Sequence, residues 1–180
     1  MLRIELAPWR AVRTAQLVGV AALALVLAAA VSLDDTGWTP IVDGANLAFH
    51  EAGHQVYGIF GDTLALYGGV LGQLTFPTVA LGVFFVRREP PGVAVAIVWF
   101  GQNLWNVARY MADARAQELP LVGGGEHDFF HIFTRWGVLA HDTRIAGLTR
   151  ALGWSLVGGA LVWLAWRWRR DRRDGVTVGR

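Results

Sequence analysis

Five consecutive residues carry the strongest chemical signal in this chain: His50-Glu51-Ala52-Gly53-His54. They lie in the stretch AFHEAGHQVY, with Leu47, Ala48 and Phe49 on one side and Val56, Ile59 and Phe60 on the other. On a helix, residues i and i+4 share a face, so His50 and His54 can offer two imidazoles to one metal ion. Glu51, next to the first of them, can reach a water on that ion as general base. Zinc fits such a site. It lowers the pKa of its bound water toward about 7 and so makes a nucleophile for a polarised carbonyl, which is the chemistry of peptide-bond hydrolysis. With five His and five Glu in 180 residues, random placement gives roughly 0.004 matches per chain. The surroundings sharpen the signal, because a charged side chain at mid-bilayer costs about 2.5–3.5 kcal/mol and such residues mark functional sites. The competing explanation is a buried His/Glu cluster that only ties helices together.

A catalytic zinc takes three protein ligands and keeps a fourth position open. The chain has no cysteine, so the third ligand is another His, Asp or Glu. Asp113 is one candidate, at the end of an apolar run that also holds the amides Asn103 and Asn106. Asn106 lies seven residues before Asp113, two helical turns away on about the same face. The two asparagines can steady a ligand, hold a substrate backbone, or simply hydrogen-bond between helices. Asp113 can equally be a surface acid beside Arg109 or Arg115. The rival segment is Glu126-His127-Asp128-Phe129-Phe130-His131, where His127, Asp128 and His131 are alternative ligands or incidental polar residues of an interfacial helix. His141-Asp142-Thr143 reads as a helix start.

The elements that position these residues follow from hydropathy. A membrane-crossing helix needs about 20 mostly apolar residues. Five runs qualify as candidates: 15–33, 44–60 with the motif, 64–86, 92–112 and 151–166. The expected fold is therefore an all-α, polytopic transmembrane helix bundle of about five spans, with an interfacial helical segment over 126–146 before the last span. It divides into an N-terminal span at 1–33, a core at 44–115, a loop and interfacial helix at 116–146, and a last span with an Arg-rich tail at 147–180. The first run also has the basic start and small residues of a signal peptide, but its apolar stretch is long for one. Gly68, Gly69 and Gly72 read as close helix packing and Pro77 as a kink. Pro120 to Gly125 reads as a loop.

All 16 basic residues are arginine, and they gather at the two ends and beside apolar runs. That distribution suits membrane flanks and argues against a nucleic-acid partner. With the N-terminus inside, the acidic loop 34–43 falls outside, the motif helix runs inward and residues 113–146 are cytoplasmic. Arg87-Arg88 and the C-terminal arginines then fall outside, against the positive-inside bias.

FHEAGH on a membrane helix, then a glycine-rich span, then a helix with Asn and a terminal Asp, resembles the site-2-protease family of intramembrane zinc metalloproteases over residues 44–115. The resemblance implies a three-helix core, one Zn2+ per chain held by His50, His54 and Asp113, and Glu51 as base. In the family the third-helix pattern is Asn-x-x-Pro-x-x-x-x-Asp-Gly. Here Ala114 follows Asp113, no proline lies between Asn106 and Asp113, and Asn106 is one residue too close. The expected function is hydrolysis of a peptide bond in a membrane protein or membrane-associated peptide near the cytoplasmic side, in a bacterial cytoplasmic (inner) membrane. The alternative is a non-proteolytic membrane protein, either a metal-binding transporter or a protease-like scaffold.

Overall fold

The computed structural model describes residues 8–34, 36–122 and 126–175. Arg3 of the basic start, Asp35 of the acidic loop and Gly123–Gly125 of the glycine loop lie outside the described residues. Among the described residues the secondary structure is helical and no strand is present. The α-helices are α1 (Thr14–Leu33), α2 (Pro40–Gly58), α3 (Asp62–Val86), α4 (Pro90–Ala112), α5 (Asp128–Arg135) and α6 (Asp142–Arg173). Three helical segments are long and apolar enough to cross a membrane: α1, α3 and Leu139–Arg173, which contains α6. The other two expected spans are helices of more polar composition. α2 carries Asp43, His50, Glu51 and His54, and α4 carries Gln102, Asn103, Asn106 and Arg109.

Local sequence sets the boundaries. Pro40 opens α2 and Pro90-Pro91 opens α4, positions where proline's fixed φ suits a first turn and its missing N–H costs nothing. Gly61, at φ 112°, makes the turn between α2 and α3 in a conformation that side chains avoid. The expected helix over 126–146 is broken instead. α5 stops at Arg135, and Gly137 at φ 69° turns the chain before α6 begins at Asp142. α6 thus starts nine residues before the apolar run at Ala151, with Asp142 in its first turn and Arg170, Arg172 and Arg173 in its last, each suited to the helix dipole.

α4 is the central helix. It buries Val93, Ala94, Val98, Trp105, Val107 and Ala108, among others, and packs on α1, α3 and α6. One core cluster joins α1, α4 and α6 through Val20, Ala24, Leu27, Val98, Val157 and Leu164. A second joins α4 and α5 through Val107, Phe129, Ile132 and Phe133. α2 and α3 form an antiparallel hairpin along a glycine seam. A Cβ on Gly53 would collide with Gly68 and Gly72, and one on Gly68 or Gly72 would collide with the α2 backbone. The expected close packing at Gly68 and Gly72 is thus met by Gly53, inside the histidine motif.

Candidate metal centre

His50 and His54 project from one face of α2, their rings 4.9 Å apart and edge to face. The Asp128 carboxylate meets both. Its Oδ2 lies 2.9 Å from His50 Nε2 and 3.2 Å from His54 Nε2. His50 is buried, while His54 and Asp128 are half-buried. Asp128 reaches them from the first turn of α5, where its backbone N–H donates to the Tyr110 hydroxyl at 3.0 Å. The buried face of α5 (Phe129, Ile132, Phe133) holds that turn in place.

The far side of each imidazole is also held. His54 Nδ1 donates to the Ala65 carbonyl at 2.8 Å. His50 Nδ1 lies 3.4 Å from Gln73 Oε1, and Gln73 Nε2 donates to Asn106 Oδ1 at 2.8 Å. An oxygen that only accepts keeps a ring proton on Nδ1, so Nε2 is the nitrogen each imidazole would offer to a metal. Gly69 makes room for this arrangement, since a Cβ there would overlap the His50 ring. Pro77 lies four residues after Gln73 and removes the helix bond to the Gln73 carbonyl.

The residues could hold a metal ion. Two imidazole nitrogens and one carboxylate oxygen form a catalytic-type donor set, and the three ligand atoms lie within 4.8 Å of one another. Bonds of 2.0–2.1 Å in a tetrahedron would put ligand atoms about 3.3 Å apart, close to the 2.9 and 3.2 Å from Asp128 Oδ2 to the two Nε2 atoms. Burial alone would raise the Asp128 carboxyl, but the neighbouring His50 and His54 outweigh it and hold the group below its ordinary value.

Asp113 is elsewhere. Its two oxygens accept the backbone N–H groups of Glu118 and Leu119 at 2.9 and 3.1 Å, which closes the turn after α4. It faces His127, whose Nε2 lies 3.3 Å from Asp113 Oδ2 but out of line for a hydrogen bond. His127 caps α5 by accepting the Phe130 N–H and packs its ring against Tyr110, tilted by 32° with centroids 4.1 Å apart. Burial pushes its imidazole below the ordinary histidine value, only partly offset by Asp113. His131 pairs with Glu126 at 2.8 Å near the surface. Of the 127–131 alternatives, Asp128 alone joins the His50–His54 pair.

Glu51 and His50 line a cavity of about 590 Å³ together with Gln73, Asn106, Arg109 and Tyr110. Trp38, Leu47 and Leu119 to Val122 give it an apolar wall. Asn106 is therefore at the site. Asn103 is buried away from the cavity, its Nδ2 donating to the Trp99 carbonyl of its own helix at 3.0 Å. Sequence reasoning missed Gln73 and Tyr110. Gln73 had a signal, as a lone amide in an uncharged 23-residue run. It also missed the buried network in which Asp43 accepts from Gln102 at 2.6 Å and Asn46 donates to Gln102 at 2.8 Å. No family model, curated protein or solved structure matches the chain.

Proposed function

We propose that this chain is a membrane-embedded zinc metallopeptidase of the kind its motif resembles, with His50, His54 and Asp128 as the metal-holding residues and Glu51 as the general base. The observation that carries the assignment is the meeting of Asp128 Oδ2 with both Nε2 atoms beside a cavity that Glu51 also lines.

When bound, zinc supplies Lewis-acid activation of a water and of the substrate carbonyl. The chain's own residues do the rest. Glu51 accepts the proton from the attacking water and returns it to the departing amine. Gln73 and the Ala65 carbonyl fix the two imidazoles through Nδ1. The wall at Leu119 to Val122 takes an extended apolar segment, and a substrate helix must unwind there because its carbonyls are otherwise already hydrogen-bonded.

The test is zinc content and cleavage of fluorescent casein in detergent. Zinc near one per chain is expected in the wild type and in Glu51→Gln, and its loss in His54→Ala and Asp128→Ala. Glu51→Gln is expected to lower cleavage by at least about 100-fold; cleavage at the wild-type rate in that variant ends the peptidase assignment. A second reading, the non-proteolytic scaffold, draws on the closed hydrogen-bonded set that His50, His54 and Asp128 already form, and it predicts a purified protein without zinc.

A further inference from the structure

The two ends of the bundle differ in charge, and α2 does not connect them. At one end Arg10 donates its backbone N–H to the Arg88 carbonyl at 2.9 Å and pairs with Glu89 at 2.7 Å. At the same end Val12 N–H donates to Asp171 at 2.9 Å and Trp168 to Thr14 at 3.1 Å. The start of α1, the α3–α4 turn and the end of α6 are thus together. Nine described arginines lie there: Arg10, Arg13, Arg87, Arg88 and five between Arg167 and Arg173. At the other end Arg115 pairs with Asp142 at 2.8 Å, and Arg135, the last residue of α5, and Trp136 after it meet Thr63 and Tyr67 of α3. Five described arginines lie in that half.

The start of α2 touches α4 at mid-length. Asp43 and Asn46 bond Gln102, which is ten residues, roughly 15 Å, before the end of α4. From there α2 rises toward the arginine-poor end, where His50 meets Tyr110 with centroids 5.8 Å apart, and α3 begins at Asp62. α1 also finishes at that end, beside Arg109, whose guanidinium lies 5.4 Å from the Trp38 ring. The chain after α1 therefore dips to mid-depth and α2 climbs back out. At the bottom of the dip the Thr39 N–H and Gln102 Nε2 both donate to Asp43, which pairs backbone at membrane depth inside the bundle, while the Thr39 hydroxyl is buried without a partner.

We propose that α1, α3, α4 and α6 cross the bilayer while α2 enters and leaves by one side, so that the metal centre opens at the non-cytoplasmic face and acts on polypeptide segments presented at that boundary. The substrate class rests on the peptidase assignment above; the orientation does not. Four crossings put every arginine cluster on one side. Five crossings leave Arg87-Arg88 and the C-terminal arginines opposed to the N-terminus. Arginine bias in short flanks sets orientation, so the nine-arginine end is cytoplasmic. Tyr110 sits two residues, about 3 Å, from the far end of α4, which places His50 at the opposite boundary, within reach of water.

The absence of native cysteine makes single-cysteine labelling clean. Thr36→Cys, Phe60→Cys, Ala116→Cys and Asp174→Cys are expressed in a bacterial host and treated with a membrane-impermeant maleimide. The first three are expected to label in spheroplasts and Asp174→Cys only in inverted vesicles. Green fluorescent protein fused after Arg180 of the wild-type chain is expected to fluoresce, a check that needs no substitution. Labelling of Phe60→Cys from the side opposite to Thr36→Cys overturns the dip, and labelling of Ala116→Cys only in inverted vesicles overturns the orientation. Two single-span reporters, with a Gly-Pro segment at the outer or the inner boundary, test the substrate class. Loss of the outer reporter alone, abolished by Glu51→Gln, is expected, and cleavage at the inner boundary alone overturns it. Cleavage of neither, with the labelling pattern intact, supports the orientation and overturns the peptidase assignment.

Discussion

Asp113 and Asp128 are both carboxylates near the end of α4, and their surroundings give them different work. Asp113 is bound to two backbone N–H groups; Asp128 faces two imidazoles. Asp113→Ala is expected to keep zinc and to lose about 1–3 kcal/mol of stability, because two N–H groups lose their acceptor. Gln73→Leu is expected to keep the fold and weaken zinc binding by about 10–100-fold, the usual cost of losing an outer partner of a ligating imidazole. Competition with a chromophoric chelator and a thermal melt on both variants separate these outcomes. His50, Glu51 and His54 were legible in the sequence because helical spacing alone brings them to one region. The choice of acid was not. Asp113 and the 127–131 segment stood as rivals and the family resemblance implied Asp113, whereas Asp128 reaches the imidazoles because Phe129, Ile132 and Phe133 dock α5 on the bundle, a tertiary contact with no local spacing.

At the scale of elements, the α2–α3 hairpin does the positioning, and glycine sets its closeness. Gly53 holds the backbones together, while Gly69 clears the His50 ring. The two should fail differently. Gly53→Ala drives a methyl into the Gly68 carbonyl, and a melting-temperature loss worth about 1–3 kcal/mol or more is expected. Gly69→Ala presses on a side chain that can swing away, so a smaller melting shift with a clear loss of zinc affinity is expected. Equal stability losses with zinc affinity retained in both would contradict this division. The Gly68/Gly72 spacing announced close packing, but its partner was hidden, because Gly53 occupies a position that the His-Glu-x-x-His pattern leaves unspecified.

For the whole molecule, hydropathy located the helices, and three of the segments are long and apolar enough to cross a membrane. α1, α3 and α6 read directly as apolar runs and are long enough to cross. α4 is more polar, and neighbouring helices surround it, so Gln102 and Asn103 are buried in protein. The course of α2 could not be read from composition. It depends on Asp43 and Asn46 finding Gln102, 56 to 59 positions along the chain.

The histidines and their acid come from stretches of chain 78 residues apart. α5 is only eight residues long, short for a helix to persist without support. Metal loading would fasten this small helix to the α2–α3 hairpin like a clasp. Affinity for the ion and the docking of α5 then become one thermodynamic quantity. Removing zinc from the loaded protein is expected to speed amide hydrogen exchange across 128–135 while leaving α4 protected. The same exchange rates in loaded and chelated protein would mean that α5 holds its place by packing alone.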